Sequence, residues 1–360
     1  TRGLDVTIVE AAPHILAPFD TDMIGQAEAE LRQHGIRLIL QDGVKEFQRQ
    51  ADGSVEVLLS DGQSLTADFV VLAIGVCPDT AFLQDSGIER TERGHILVDA
   101  FMQTSAPGVY AVGDAVMTTD HQTGSRMALP LAGPANRQGR LAADNIAGLK
   151  REYHGVQGSS ILKVFSLTAA ATGKNERTLQ KEGLVYGKDY RFTITYPASH
   201  AAYYPDSKKF ALKMIFRLSD GRVLGAQAIG QEGVDKRLDV LAAVIRQQGT
   251  IEDLMDLELS YAPPFSSAKD PVNMAGYVAD NIRQGFTDPM RPEELQALQQ
   301  QDLMRIDVRP PAMYQQGHLP GFVNIPAAKL RTQLAKLDKT RPIIISCQVG
   351  MNGYFMERML

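Results

Sequence analysis

The chain has 360 residues, a net charge of −5, and 44% hydrophobic and 22% charged residues, which is typical of a globular protein with two or three domains. No basic block or basic helix stands out, so we expect no nucleic-acid partner and no membrane partner. No apolar run approaches the roughly 20 residues that a spanning helix needs. The two cysteines, Cys77 and Cys347, lie far apart. They predict no disulfide framework and no metal site, and they favour a reducing, cytoplasmic setting.

The N-terminal region predicts part of a dinucleotide-binding unit. Its pattern gives, in order, a strand over residues 6–9, a helix over 22–34, strands over 36–40, 55–59 and 64–67, and an apolar strand over 69–74. Glu10 ends the first strand, where an acid can hydrogen-bond the adenosine ribose of a nicotinamide cofactor. An exposed strand-end glutamate is the alternative. Gly75 ends the last strand and is a second cofactor-binding candidate, whereas Cys77 is expected to be a small buried or hinge residue.

Residues 104–115 contain the strongest single motif. The β-prone residues 109–112 predict a short buried strand, which ends at Gly113 and Asp114. Ligands bind at the carboxyl ends of strands in open α/β sheets. A glycine lets a ligand approach the backbone, and the carboxylate of Asp114 can accept hydrogen bonds from hydroxyl groups. A Gly-Asp pair taken alone would be an ordinary turn.

The whole twelve-residue string resembles the second flavin-binding motif of the pyridine nucleotide-disulfide reductase family. That resemblance implies that Asp114 binds the ribityl chain of FAD and that Gly113 lies beside it. It also implies that the helix predicted to begin near Ala132 points its N-terminus at the flavin pyrimidine ring, although an ordinary packing helix is the alternative. No arginine closely follows Glu10, which favours NADH over NADPH. Because the family's glycine fingerprints and redox cysteine are not found, we expect a piece of a longer protein.

The pattern changes to α+β from about residue 157 to residue 285. Apolar residues alternate over 210–218 and predict a half-buried strand, which a turn at Asp220 and Gly221 joins to a second strand over 222–229. Apolar residues at helical spacing then predict a helix over residues 234–245 with one apolar face. Position and pattern resemble the family's C-terminal dimerisation domain. The resemblance implies a two-fold homodimer in which this domain completes the active site of the other subunit.

Two tyrosine-containing strings in this region are similar to those of coenzyme A-disulfide reductases. That similarity implies that Tyr203 and Tyr261 reach the redox cysteine of the partner subunit, with Tyr204 as an alternative to Tyr203. A phenol beside a thiolate can donate a hydrogen bond or a proton during disulfide cleavage. A half-buried tyrosine at a subunit interface is the other interpretation.

A turn-rich linker over residues 286–292 precedes a third pattern, in which strands over residues 303–309 and 343–346 flank the string from Gly317 to Pro326. Cys347 follows the last strand and opens a helix. The three motifs in this order resemble a rhodanese domain, which implies that Cys347 is a nucleophile that carries a persulfide. Loop N–H groups at a helix N-terminus favour the thiolate. Many rhodaneses have arginine where this chain has Asn352, and a buried bystander cysteine is the alternative.

The sequence therefore predicts a partial α/β flavoprotein fold with two dinucleotide-binding domains, an α+β dimerisation domain and a truncated rhodanese-like α/β domain. The predicted boundaries are 1–76 (NAD(P)-binding), 77–150 (FAD-binding), 151–285 (dimerisation), 286–292 (linker) and 293–360 (rhodanese-like). The resemblance implies reduction of a small-molecule substrate, namely a coenzyme A disulfide, a coenzyme A persulfide or a polysulfide, with NAD(P)H, FAD and coenzyme A as cofactors. An NADH oxidase or peroxidase of the same fold, or a non-catalytic sulfur-carrier module, are the alternatives.

Overall fold

A computed structural model describes residues 3–298 and 301–360. The N-terminal part has the elements β1 (Thr7–Glu10), α1 (Thr21–Gln33), β2 (Arg37–Leu40), β3 (Val44–Arg49), β4 (Val55–Leu59) and β5 (Ser64–Ala67). β1 and β2 pair in parallel, and α1 connects them, as the predicted strand–helix–strand order requires. β3, β4 and β5 form an antiparallel sheet, which confirms the predicted hairpin.

The predicted apolar strand over residues 69–74 is wrong. This segment has no regular secondary structure and no strand pairing, and Phe69, Val71 and Ile74 are 63%, 77% and 90% exposed. A strand needs a neighbour that supplies its backbone hydrogen bonds, and no described residue pairs with this segment. Cys77 is exposed, so of the two expectations for it, a buried residue is wrong and a hinge residue stays a prediction.

The second part carries β6 (Ile96–Leu97), β7 (Val116–Thr119), β8 (Arg126–Met127) and α2 (Ala132–Ile146). The predicted strand over residues 109–112 is wrong, because the strand lies further along the chain, at β7. Val109 and Val112 are 41% and 39% exposed, and Tyr110 forms only an isolated bridge with Gln103. The predicted helix is confirmed as α2, with a buried proline in its first turn and a left-handed glycine beyond its end.

The central unit, defined as residues 157–285, contains the largest sheet. Its elements are β9 (Ser160–Val164), β10 (Leu167–Gly173), α3 (Glu176–Lys181), β11 (Tyr190–Thr195), β12 (Phe210–Arg217), β13 (Val223–Gly230), α4 (Val234–Arg246), α5 (Ile251–Asp256) and α6 (Pro271–Arg283). The sheet is antiparallel in the order β11-β12-β13-β10-β9. The predicted hairpin and the apolar face of α4 are both confirmed.

Both faces of this sheet are covered, so the prediction of a half-buried β12 is wrong. Leu212, Met214 and Phe216 pack with α4, α5 and α6 on one face. On the other face, Ala211 packs with α1 of the N-terminal part. The alternation in the sequence predicts that the second face of the sheet is exposed to solvent. Small alanines on that face instead let α1 approach closely.

A buried cation lies at this second interface. Lys213 is fully buried, and its Nζ lies 2.7 Å from Asp22 Oδ2, 2.6 Å from Glu176 Oε1 and 3.0 Å from Asp20 Oδ2. Gln227 Nε2 donates to Asp20 Oδ2 at 2.7 Å, and Gln227 Oε1 accepts from the Asp20 N–H at 2.8 Å. We call Lys213, Asp20, Asp22 and Glu176 the Lys213 cluster. It joins the N-terminal part to the central unit.

Burial and charge act in opposite directions on the groups of the Lys213 cluster. Burial lowers the pKa of Lys213, but the charges of Asp20, Asp22 and Glu176 outweigh it, so the pKa of Lys213 is raised. Burial raises the pKa of Asp22, and its attraction to Lys213 only partly offsets this. The lysine is therefore held as a cation, while burial opposes the charged form of Asp22.

The C-terminal unit, defined as residues 292–360, is a parallel α/β layer. Its elements are α7 (Pro292–Ala297), β14 (Met304–Asp307), α8 (Pro311–Gln316), β15 (Val323–Asn324), α9 (Ala327–Gln333), β16 (Ile343–Ser346) and α10 (Met351–Met359). The strands lie in the order β15-β14-β16. Ile306, Leu330 and Met356 form the centre of its core. None of the described helices combines the length and the apolar composition that crossing a bilayer requires.

We expect Lys213→Met to lower the free energy of unfolding by about 3–5 kcal/mol, because three carboxylates then lose their common cation in a buried site. Asp22→Asn is the matched control and should change it by less than about 1 kcal/mol, since Lys213 keeps Asp20 and Glu176. Urea unfolding measures both values, and a Lys213→Met protein as stable as the wild type would contradict the role of the cluster.

The difference in stability between the wild type and Asp22→Asn should depend on pH. A carboxyl group whose pKa is raised in the folded state contributes stability at low pH that is lost as the pH rises through that pKa. The wild type should therefore lose stability relative to Asp22→Asn as the pH rises above about 4.

Candidate functional site

The Gly-Asp motif is tied to helix α2. Gly113 has a left-handed φ of +87°, and its N–H donates to Gln138 Oε1 at 2.8 Å. Gln138 is 3% exposed and belongs to α2. Asp114 follows with an exposed side chain. The contact places the Gly-Asp turn against α2. Two cofactor-binding candidates that are distant in sequence, this turn and the helix that begins at Ala132, are thus brought together.

Helix α2 begins without a side-chain cap. Leu131 occupies the N-cap position, and the next residues, Ala132 and Gly133, are small and exposed. The first N–H groups of a helix lack partners within the helix and carry its positive dipole end. A cavity of about 790 Å³ opens here, lined among others by Ala132, Gly133, Arg137 and Arg246. These small residues and free donors fit an acceptor atom of a planar cofactor such as FAD.

Glu10 lies at the end of β1, as the sequence predicts. Its Oε1 accepts from the Ala12 N–H at 2.8 Å, and in the described part of the chain its other oxygen has no hydrogen-bond partner. That oxygen is free to accept from a ribose hydroxyl. Gly75 has a φ of +95°, and a Cβ added there would find no atom within 4 Å. No contact in the described structure joins Gly75 to Glu10 or to Asp114.

The two tyrosine loops meet. The N–H of Ala201 donates to the carbonyl oxygen of Pro263 at 3.2 Å, which connects the loop of Tyr203 with that of Tyr261. The two tyrosines are 83% and 62% exposed. Large exposed aromatic side chains on paired loops are typical of a binding surface. The structure therefore exposes both phenols, on two connected loops of the central unit.

A buried ion pair supports these loops. Arg237 on α4 lies 3.2 Å from Asp270, and both side chains are almost fully buried. Ser266 donates to Asp270 at 2.7 Å and accepts from Arg237 at 3.1 Å. The sequence analysis missed Arg237. The signal was an arginine within the apolar face formed by Leu238 and Leu241, where a charge needs a buried partner.

Cys347 lies in the turn between β16 and α10. The N–H of Gly350 donates to Cys347 Sγ at 3.1 Å, and a Cβ added to Gly353 would lie 3.5 Å from the sulfur. Gly350 has a φ of +91°, so the turn favours glycine. Asn352 is exposed in the first turn of α10. The thiol is half-buried at a helix N-terminus, where the sequence predicts it.

An ion pair lies at the adjacent strand end. Arg309 donates through Nε and Nη2 to the carboxylate of Asp307 at 2.6–3.0 Å, and through Nη2 to the carbonyl oxygen of Gly317 at 2.8 Å. Burial alone would raise the pKa of Asp307, but its hydrogen bonds from Arg309 outweigh this and lower it. Hydrogen bonds to Asp307 raise the pKa of Arg309, and the charge of Cys347 adds to the effect. The sequence analysis did not single out this pair.

Comparisons with known proteins agree with this geometry. Residues 1–139 match "Pyridine nucleotide-disulphide oxidoreductase", residues 159–271 match the dimerisation domain of the same family, and residues 291–360 match "Rhodanese-like domain". The chain belongs to the pyridine nucleotide-disulphide oxidoreductases and carries a rhodanese-like domain. The expected fold class is confirmed.

Two solved structures are similar over 99% of the chain. Reduced Bacillus anthracis CoADR-RHD is 42% identical with a TM-score of 0.94, and the chain covers 63% of it. An NAD-dependent persulfide reductase from A. fulgidus is 32% identical with a TM-score of 0.88, and the chain covers 64% of it. A curated relative named NADH oxidase from Methanocaldococcus jannaschii is 34% identical over 277 residues, which are 76% of this chain and 60% of that protein. The chain thus spans about 60% of the length of the curated relatives it matches.

Asp307 should give the rhodanese-like domain an acid-sensitive stability. A lowered carboxyl pKa means that the stabilisation is present above the unfolded pKa and is lost as the pH falls below about 4. We expect Asp307→Asn to lower the free energy of unfolding by about 1.5–3 kcal/mol at neutral pH and to flatten this acid transition.

Asp338→Asn is the control, because Asp338 bonds only the exposed Thr340 and its own turn. Circular dichroism across a pH series measures both variants. An acid transition in Asp307→Asn as steep as in the wild type would show that another group is responsible.

Proposed function

We propose that this chain acts in an NAD(P)H-dependent flavoenzyme that reduces a coenzyme A persulfide or disulfide and receives sulfur through Cys347. The observation that carries the proposal is the pairing of the Tyr203 and Tyr261 loops by the Ala201–Pro263 hydrogen bond, in a chain that also holds a cysteine at a rhodanese-type turn. The similarity to a persulfide reductase over 99% of the chain supports it.

Five residues are proposed to hold the cofactors. Glu10 and Gly75 serve NAD(P)H, and Gly113, Asp114 and Ala132 serve FAD. FAD when bound supplies two-electron acceptance from the nicotinamide. On the protein side, Asp114 accepts hydrogen bonds from hydroxyl groups of FAD, and the uncapped N–H groups of α2 donate hydrogen bonds to an acceptor atom of FAD. No arginine closely follows Glu10 to bind a 2′-phosphate, so NADH is the proposed donor.

The proposed reaction balances with one persulfide and one hydride donor. NADH, a proton and the persulfide of coenzyme A give NAD⁺, the thiol of coenzyme A and hydrogen sulfide. The sulfane S–S bond breaks and takes up two electrons. Tyr203 and Tyr261 of one subunit donate hydrogen bonds to the thiolate that departs in the active site of the other subunit. The dimerisation domain favours the homodimer that this arrangement needs.

The rhodanese-like domain supplies the sulfur in this proposal. The Cys347 thiolate attacks the outer sulfur of a sulfane donor, the donor's S–S bond breaks, and the remaining anion leaves. The new Cys347 persulfide then passes its outer sulfur to the thiolate of coenzyme A, which restores the Cys347 thiolate. The N–H of Gly350 stabilises negative charge on the sulfur at both stages. A reducing compartment, as in the cytoplasm, keeps this thiol available.

We also propose the domain division with boundaries at residues 76, 150, 285 and 292. The linker 286–292 contains one helical residue, Pro292, at the start of α7. The segment 69–76 lacks strand pairing and lies between the cofactor-binding parts. Limited proteolysis with mass analysis of the fragments tests the division.

An NADH oxidase activity is the second candidate, and the relative of that name favours it. The two functions differ in the electron acceptor. If oxygen uptake from NADH without any thiol substrate equals or exceeds the rate with a coenzyme A persulfide, the oxidase candidate replaces the reductase.

Cys347→Ser should reduce thiosulfate-dependent sulfur transfer to background, because a hydroxyl cannot form the persulfide. Asn352→Arg should raise the rate roughly tenfold to a hundredfold, since charge-assisted hydrogen bonds contribute about 1.5–3 kcal/mol. Cys77→Ser is the matched control and should leave the rate unchanged. If neither Cys347→Ser nor Asn352→Arg changes the rate, the domain is a binding module.

Tyr261→Phe and Tyr203→Phe should each lower the turnover of persulfide reduction by about a hundredfold, the lower end of what a positioned proton donor contributes. Tyr277→Phe removes a hydroxyl from an exposed tyrosine of α6, outside both loops, and serves as the control. Tyr204→Phe shows whether Tyr204 replaces Tyr203. Unchanged turnover in all three loop variants would assign these tyrosines to the interface alone.

A further inference from the structure

Arg291, the last residue before α7, docks on the dimerisation domain. Its guanidinium forms an ion pair with Glu176 of α3 and lies 3.4 Å from the centre of the Tyr186 ring and 4.9 Å from that of Phe192. An arginine packed on two aromatic rings and paired with a carboxylate is fixed in direction as well as position. The start of the rhodanese-like domain is thereby held on the sheet of the central unit.

Glu176 also belongs to the Lys213 cluster. Its Oε1 holds Lys213 at 2.6 Å, while its Oε2 accepts from Tyr190 at 3.2 Å and pairs with Arg291. Loss of Arg291 would leave Glu176 with Lys213 and Tyr190 as partners. Arg291 can therefore be removed without leaving a buried carboxylate unpaired, which is not true of Lys213.

The other side of the linker is attached to the helix that follows Cys347. Arg358 near the end of α10 donates to the carbonyl oxygen of Phe286 at 3.1 Å and lies 5.1 Å from the centre of its ring. Thr287 donates a hydrogen bond to Glu357 of the same helix. The C-terminal end of α10 is thus held by the linker, while the turn at its other end carries Cys347.

A second ion pair fixes the middle of the linker. Arg191 of β11 donates to Asp288 at 2.6 Å and to the carbonyl oxygen of Pro289 at 3.1 Å. The Asp288 side chain is 84% exposed, so this pair alone contributes little. The more enclosed contact of Arg291 is the one that fixes the docking.

We propose that Arg291 is a positioning residue that holds the rhodanese-like domain on the dimerisation domain and so sets the direction in which Cys347 hands over its sulfur. The proposal rests on the sulfur transfer given above as the proposed function. With the domain docked, the persulfide meets its acceptor at a fixed place. With the domain free, the persulfide finds its acceptor only at the effective concentration that the flexible linker sets.

The test compares Arg291→Met and Arg291→Lys in the flavin-loaded protein, with Lys188→Met as a control that removes one exposed charge from the central unit. Three rates are measured: thiosulfate-to-cyanide sulfur transfer, NADH oxidation with added coenzyme A persulfide, and NADH oxidation driven by thiosulfate with catalytic coenzyme A. Hydrogen exchange of the backbone amides of residues 286–288 and 290 reports docking directly.

We expect Arg291→Met to leave the first two rates within about twofold and to lower the coupled rate at least about tenfold, with faster exchange in the linker. Arg291→Lys keeps the ion pair but loses the ring packing, so it should recover part of the coupled rate. Lys188→Met should match the wild type in every measurement.

Two results would overturn the proposal. One is unchanged exchange in the linker of Arg291→Met, which would mean that other contacts hold the domain. The other is faster exchange with an unchanged coupled rate, which would mean that docking does not direct the sulfur. A wild type that lacks the first or second rate contradicts the proposed function instead, and with it the directing role of Arg291. Linker exchange would still report whether Arg291 docks the domain.

Discussion

One buried ammonium group connects the parts of this protein. Lys213 lies in the middle of a covered sheet, where an unpaired charge would be prohibitive, and three carboxylates from two parts of the chain surround it. The cluster can form only when α1 lies against the sheet. The cation therefore favours one arrangement of the N-terminal part on the dimerisation domain, beyond what apolar packing alone specifies.

Glu176 extends this constraint toward the C-terminus. It pairs with Lys213 on one side and with Arg291 on the other, so the Lys213 cluster and the start of the rhodanese-like domain share one acid. Phe286 and Thr287 of the linker join α10, whose first turn follows Cys347. Charge pairing, rather than a large apolar interface, thus holds the linker between the two domains.

The candidate sites follow a common design in which polar anchors hold exposed functional groups. Gln138 holds the Gly113 turn, Arg237 and Asp270 hold the tyrosine loops, and Asp307 with Arg309 holds a strand end beside the Cys347 turn. In each case the anchor is buried or half-buried and the proposed reacting group is accessible. Rigid support of accessible groups is what a site needs to orient a substrate.

The sequence by itself determined those helices and hairpins that depend only on neighbouring residues. Period and turn chemistry were enough for α1, α2, α4 and the two hairpins, and motif order was enough for the family and for the place of Cys347. Strand pairing was not determined: residues 69–74 and 109–112 have strand-like composition but no partner strand among the described residues, and pairing needs a neighbour. The burial of Lys213, the partner that Arg237 finds in Asp270 and the docking of Arg291 also came only from the tertiary structure. Each depends on a partner far away in the chain, which no local pattern encodes.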